Sequence, residues 1–262
     1  MTGIVIASAL VGLGALLYWL LVATEGTYLG GRVVTLLYDA TATRYDRIKD
    51  LHYVNEARYL GLPLARVLGN SETPRVLDVA AGTGRVPLAL LQTWEFEGLI
   101  IGLDRSYRML KGARSALANW DGTVALVRGD AGALSFGENA FDCVTCLEAL
   151  EFMWNPAETV REMVRVLRPG GVLLLSNRVG ADAWLFPSRL CGRGRLERHL
   201  AELGLKDVET QRWQVHYDLI WARKAPARGF ARSVSKELVR RDLTGMIGNG
   251  GTRNDQERLL EP

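Results

Sequence analysis

Asp78-Val79-Ala80-Ala81-Gly82-Thr83-Gly84 places a carboxylate and two close glycines between a short apolar run and a helical pattern. Glycines in such a position allow a tight turn and let the backbone approach a ligand with no Cβ in the way. A dinucleotide-binding turn, G-x-G-x-x-G, would need glycine where Pro87 stands. Asp78 at the end of the run would also repel a pyrophosphate, whereas a cationic ligand without phosphate suits its carboxylate. Asp104, twenty residues beyond Gly84, closes the next apolar run, where an acceptor for a ribose diol belongs. The glycine turn, the carboxylate before it and the acid after it form one constellation, more specific than the turn alone.

Those residues need strands to end on and helices to begin. Strand patterns run over 75–79, 98–103, 123–127, 141–146, 171–176, 208–215 and 217–224, and helical patterns over 51–68, 85–94, 106–118, 156–167 and 196–203. Pro156 supplies start chemistry, and Arg168-Pro169-Gly170-Gly171 supplies a stop. Alternation at this spacing predicts an α/β fold: a doubly wound, mostly parallel, seven-stranded sheet covered on both faces, with ligands at the carboxyl ends of its strands. The close final pair, joined near His216, predicts an antiparallel edge.

DVAAGTG, then GLDRS, then GDAGALSFGENAFDCVTCLEALEF, then REMVRVLRPGGVLLLSNR, resemble successive motifs of the class I S-adenosylmethionine (SAM)-dependent methyltransferases, over roughly residues 75–224. The resemblance implies a Rossmann-like fold, methyl transfer, and SAM as cofactor. It implies that Asp78, Gly82 and Gly84 hold the methionine end and that Asp104 takes the ribose hydroxyls. Asp130 would face the adenine amino group with Ala131 beside the ring, and Ala80, Thr83, Arg105 and Leu147 complete the implied set. Ala80 departs from the glycine more usual there.

Thr145-Cys146-Leu147-Glu148-Ala149-Leu150-Glu151-Phe152 further resembles the TCMEMLEH-type segment of ubiquinone-biosynthesis O-methyltransferases, whose two acids and histidine are associated with a divalent metal. Glu148 and Glu151 match the acids, but Phe152 replaces the histidine. A hard cation would have only two carboxylates and water to bind. The alternative is that both acids line the pocket mouth or cap a turn, and no resident metal is expected. Tyr38-Asp39-Ala40-Thr41-Ala42-Thr43-Arg44-Tyr45-Asp46 resembles the N-terminal cap of quinone and phospholipid methyltransferases, Y-x-x-x-A-x-x-Y-D. Tyr38 and Tyr45 are therefore candidate substrate residues, alongside Glu148, Glu151, Trp184 and Phe186. No N-P-P-[YF] segment follows the fourth strand, which argues against methylation of base amino groups. No catalytic dyad is visible, and methyl transfer by positioning and desolvation requires none.

Residues 4–23 are an uncharged run of twenty, which at ~1.5 Å per residue matches the ~30 Å hydrocarbon core of a bilayer. No Lys or Arg precedes it, unlike a secretory signal. Arg32, Arg44, Arg47 and Lys49 follow it, so a single span with a cytoplasmic catalytic body is expected. In Ala183-Trp184-Leu185-Phe186-Pro187, three large apolar residues precede Arg189, Arg193 and Arg195, a pattern suited to an anionic lipid surface or to an inward-folding lid.

At 262 residues with 48% hydrophobic and 23% charged, the chain can bury one full-sized core. The formal net charge is +3, but residues 222–262 alone carry nine Lys/Arg against five Asp/Glu, so the remainder is close to neutral and no nucleic-acid partner is expected. Cys143, Cys146 and Cys191 read as reduced packing residues. The expected organisation is an anchor over 1–24, a helical cap over 25–74, the SAM-binding domain over 75–224, and a polar basic tail over 225–262, flexible apart from a short helix over 233–243. The function expected is transfer of a methyl group to a small lipophilic acceptor such as a quinone or phenolic lipid precursor. The alternatives are a phospholipid N-methyltransferase and a non-catalytic SAM-binding membrane protein.

Overall fold

The computed structural model describes residues 2–42, 56–69, 71–93 and 95–226. Tyr45, Arg44, Arg47, Lys49, Trp94 and the tail helix expected over 233–243 lie outside the described residues, as do the first residues of the helix expected over 51–68.

Strands β1 (Arg75–Val79), β2 (Leu99–Asp104), β3 (Val124–Arg128), β4 (Phe141–Cys146), β5 (Leu167–Arg178), β6 (Leu205–Arg212) and β7 (Tyr217–Lys224) form one sheet in the order β3-β2-β1-β4-β5-β7-β6. β1 to β5 pair in parallel, while β7 runs antiparallel between β5 and β6. The chain reverses its winding between β1 and β4. That switch point opens a crevice at the carboxyl ends of both strands, where ligands of such sheets bind.

Helices α1 (Thr2–Tyr18), α2 (Gly31–Thr41), α3 (Leu62–Leu68), α4 (Arg85–Leu91), α5 (Tyr107–Ala116), α6 (Pro156–Val166) and α7 (Arg195–Glu202) complete the elements used below. The central strands read as continuous apolar runs because both faces are covered. Val76, Cys143, Val172 and Leu174 pack with Leu60, Leu64 and Leu90 on one face. Leu77, Val144, Cys146, Leu173 and Leu175 pack with Val160, Met163 and Leu196 on the other. Cys143 and Cys146 thus point to opposite faces of β4, as residues three apart on a strand must. Burial pushes both thiols well above their ordinary pKa.

Most boundaries match the sequence reading to within a few residues. Ser106 caps α5 by accepting from Met109 N at 3.0 Å, and Asn155 caps α6 by accepting from Glu158 N at 3.2 Å. The strand expected over 171–176 is longer. Arg168-Pro169-Gly170-Gly171 ends α6 but is taken into β5, because Leu167 already pairs with Phe141 across a register shift before regular pairing resumes at Val172. β6 starts earlier than expected, at Leu205.

At the N-terminus, α1 continues through a π-helical turn at Trp19–Ala23. The resulting 22-residue helix, Thr2–Ala23, is long and apolar enough to cross a membrane, and none of its most apolar stretch is buried against the protein.

Candidate functional site

A cavity of about 540 Å³ lies over the carboxyl ends of β1, β2 and β4. Its floor is the turn after β1. Ala80 and Gly82 have positive φ, 58° and 56°, and Gly84 enters α4 at 92°. Ala80 holds a left-handed conformation that glycine adopts without steric cost, so the departure seen in the sequence is a point of local strain. At Gly84 a Cβ would stand 3.0 Å from Leu117 Cδ1, so space as well as conformation favours glycine.

Asp104 organises that turn. Its Oδ2 accepts from Gly82 N and its Oδ1 from Ser106 N, both at 2.8 Å. Burial raises its pKa and the backbone hydrogen bonds oppose that rise. Gly129 to Ala133, after β3, form the next wall, with Arg105 Nη1 3.5 Å from Asp130 Oδ2. The third wall, after β4, includes Leu147, Glu148, Phe152, Met153 and Trp154. Helix α2 closes the top: Gly31, Val34, Thr35 and Tyr38 share one helical face and all line the cavity. Its Asp39 accepts from Ser106 Oγ and, at 3.4 Å, from Arg108 N, clipping the cap to the start of α5.

Of the residues singled out from sequence, Ala80, Gly82, Asp104, Arg105, Asp130, Ala131, Leu147, Tyr38 and Glu148 line this cavity. Asp78, Thr83 and Gly84 stand behind the wall. Asp78 is 2% exposed and accepts from Thr145 Oγ1 at 2.6 Å. Glu151 is turned away from the cavity: its Oε1 accepts from Arg178 Nε at 2.9 Å and Tyr217 Oη at 2.5 Å. Glu148 Oε1 accepts instead from Arg85 Nη1 at 2.6 Å and Gln214 Nε2 at 3.0 Å. The two acids are therefore each matched to a different guanidinium rather than converged. Among the described residues no group of three or more His, Cys, Asp or Glu is arranged to hold a metal ion.

The apolar loop divides. Phe186 is 1% exposed and packs against Phe152, with its ring under Arg178, while Trp184 is 87% exposed. Its three cations divide as well, with Arg195 exposed at the start of α7. Arg189 is buried and donates to Met153 O and Trp154 O at 2.6 Å, and Arg193 pairs with Asp218. The partners in these networks, Asp39, Arg85, Thr145, Arg178 and Tyr217, carry no local signal of these pairings in the sequence, and Arg189 stands out there only as a cation beside the apolar loop. Ser106, at a predicted helix start, could have been singled out.

Residues 77–175 match a family model described as a methyltransferase domain. A demethylmenaquinone methyltransferase from Renibacterium salmoninarum is 33% identical over 144 residues, which cover 55% of this chain and 57% of that protein. A ubiquinone/menaquinone biosynthesis C-methyltransferase from Pseudomonas aeruginosa is likewise 33% identical over 144 residues, 54% of this chain and 56% of that one. Over residues 77–175 this chain carries a methyltransferase domain. The match spans little more than half the length of these relatives. The fold extends further: a SAM-dependent methyltransferase from Aquifex aeolicus superposes with a TM-score of 0.56 at 15% identity, over 70% of this chain and 97% of that one. The [4+2]-cyclase SpnF does so with a TM-score of 0.53 at 22% identity, over 63% and 80%.

SAM is the cofactor of such domains, and the residues present fit it. The methyltransferase domain offers a cavity within the ~300–1,000 Å³ range of small-molecule sites, a turn that exposes backbone, and an acid held on two amides at the end of β2. Burial, opposed by the Thr145 hydrogen bond, pushes the Asp78 carboxyl up to about 7. An unfolded carboxyl titrates near ~4, so between those values the folded chain binds more protons than the unfolded chain. Stability of the SAM-free protein is therefore expected to fall as pH rises from about 4 to about 7 and then level off. A cationic ligand favours ionised Asp78, so SAM affinity should rise by up to about tenfold per unit towards pH 7. Calorimetry across pH checks both, with Asp78→Asn flattening the two profiles. A parent whose SAM affinity is flat from pH 5.5 to 7.5 would show that Asp78 does not sense the cofactor.

Proposed function

We propose that this protein is a membrane-anchored SAM-dependent methyltransferase acting on a small lipophilic acceptor of the quinone or phenolic type. The observation that carries the reading is one cavity lined both by Asp104 and the Ala80–Gly82 turn and by the large apolar or aromatic side chains of Tyr38, Phe152, Met153 and Trp154. The identity of the two quinone-pathway relatives over the same stretch supports a ring acceptor.

When bound, SAM would supply a methyl group from its sulfonium. Asp104 would hold the ribose hydroxyls, Asp130 and Ala131 would border the adenine, and the turn backbone would hold the methionine end. Tyr38 and Phe152 bury the reacting region and exclude water, so positioning and desolvation supply most of the rate enhancement. In this reading Thr2–Ala23 is the single span that holds the enzyme in the bilayer, which its length and apolar composition support, and the cations that follow it support a body on the cytoplasmic side.

The test incubates the full-length protein in nanodiscs with SAM and either demethylmenaquinol, kept in the dithionite-reduced form whose electron-rich ring carbon can take the methyl group and release a proton to solvent, or phosphatidylethanolamine, reading S-adenosylhomocysteine release. The expected result is turnover with the quinol but not with the phospholipid. Turnover with phosphatidylethanolamine alone would overturn the acceptor class. SAM binding without turnover on these or on a total lipid extract would leave a non-catalytic SAM-binding protein.

A further inference from the structure

Two features meet at the cavity mouth that neither the fold nor the methyltransferase site requires. The first is the end of the apolar helix. At ~1.5 Å per residue its 22 residues reach ~33 Å, slightly more than a hydrocarbon core. Trp19 lies in its last turn, near the depth where Trp is enriched at the membrane interface.

The second is that this turn is fastened to the loop after β5. Trp19 Nε1 donates to Leu185 O at 3.3 Å, Trp19 stacks on Tyr28 at 5.0 Å, and Tyr28 Oη donates to Pro187 O at 2.7 Å. Arg189 then ties the loop to the cavity rim. Its Nη1 donates to the carbonyls of Met153 and Trp154, and its guanidinium lies over the Tyr28 ring at 5.1 Å. Met153 and Trp154 line the cavity.

A residue bonded to Trp19 shares its depth. Leu185, and with it Trp184, must lie at the level of the helix's last turn, and Arg189 carries the rim to the same neighbourhood. Trp184 is 87% exposed and Trp154 72%, a cost in water that an interface removes. Resting on the anchored reading given above, we propose that the Trp184 loop and the Trp154 rim form a second contact with the bilayer surface. This contact holds the cavity mouth at the headgroup layer, so an acceptor presents its ring to the cavity while its apolar tail stays among the lipids. The contact is chiefly aromatic, because Arg189 is buried and Arg193 is paired with Asp218, and Arg195 adds a single exposed cation.

The three native cysteines are buried, so a thiol fluorophore can be directed to one introduced cysteine at a time. Full-length Trp184→Cys, Trp154→Cys, Ala15→Cys and Glu72→Cys are labelled and reconstituted in phosphatidylcholine nanodiscs. Each carries a nitroxide lipid, either at the headgroup or midway along the acyl chain. Glu72 is exposed at the opposite, amino end of β1 and serves as the far reference. Headgroup nitroxide is expected to quench the labels at 184 and 154 at least about twofold more than the label at 72, with or without added phosphatidylglycerol, while acyl-chain nitroxide quenches the label at 15.

Quenching at 184 and 154 no greater than at 72, with the label at 15 quenched, would overturn the second contact and leave a simple tether. Quenching that requires phosphatidylglycerol would overturn its aromatic character. A label at 15 that is not quenched removes the anchor and this inference together. SAM binding by the same samples, measured by calorimetry, reports on the methyltransferase reading separately.

Discussion

Replacing Asp104 with alanine is expected to weaken SAM binding about ten- to a hundredfold, the equivalent of ~1.5–3 kcal/mol for hydrogen bonds to a charged group. The carboxylate has two tasks. It already accepts from Gly82 N and Ser106 N, so it shapes the turn after β1, and its position at the end of β2 suits it to the ribose hydroxyls. Asp104→Asn keeps one acceptor oxygen and should lose less than Asp104→Ala. Asp130→Ala should lose least, since that side chain is solvent-exposed and its ion pair with Arg105 is screened. Titration calorimetry on the full-length protein gives the ranking. An Asp104→Ala protein that melts like its parent and binds SAM within about twofold of it would place the ribose site elsewhere.

Glu151→Ala is expected to be the most destabilising single change at the site, by about 3 kcal/mol, the low end for breaking a buried ion pair, because it leaves a largely buried guanidinium with only the Tyr217 hydroxyl and Asp182 beside it. Glu151 is buried and Arg178 largely so, and the Tyr217 hydroxyl donates to the same carboxylate oxygen. Burial and the neighbouring Glu151 charge raise the Tyr217 pKa, so the phenol remains a donor at any ordinary pH. The double variant Glu151→Leu/Arg178→Met removes both charges and should recover most of the loss, since an apolar pair of similar size is often as stable as a buried ion pair. Thermal and urea unfolding of the three proteins in one detergent separates these outcomes. If Glu151→Ala melts like the parent yet abolishes a divalent-cation dependence of turnover, Glu151 is a metal ligand and the ion-pair account falls.

Asp39 shows how far sequence reasoning reaches. It stands within a segment whose resemblance drew attention to Tyr38 and Tyr45, yet Asp39 is what ties α2 to Ser106 and Arg108. Glu148 and Glu151 show the same limit from the other side. Three residues apart, they suggested a shared ligand. The short turn between them directs one to Arg85 and the other to Arg178, and those arginines arrive from different elements.

What the sequence by itself determined was whatever depends on local pattern. Apolar runs buried on both faces set the parallel strands, and glycines at positive φ set the turn after β1. Start and stop residues set α5 and α6 to within a few positions, and an uncharged stretch of bilayer length set the N-terminal helix. Only the tertiary structure decided which charges neutralise one another, that Phe186 turns inward while Trp184 stays out, and that the last turn of the apolar helix is bonded to the loop after β5. The physical reason is range. Strand burial, turn conformation and capping are fixed by residues a few positions apart. A buried ion pair such as Arg85 with Glu148, or a hydrogen bond such as Trp19 to Leu185, joins residues 63 and 166 positions apart, and no local pattern encodes it.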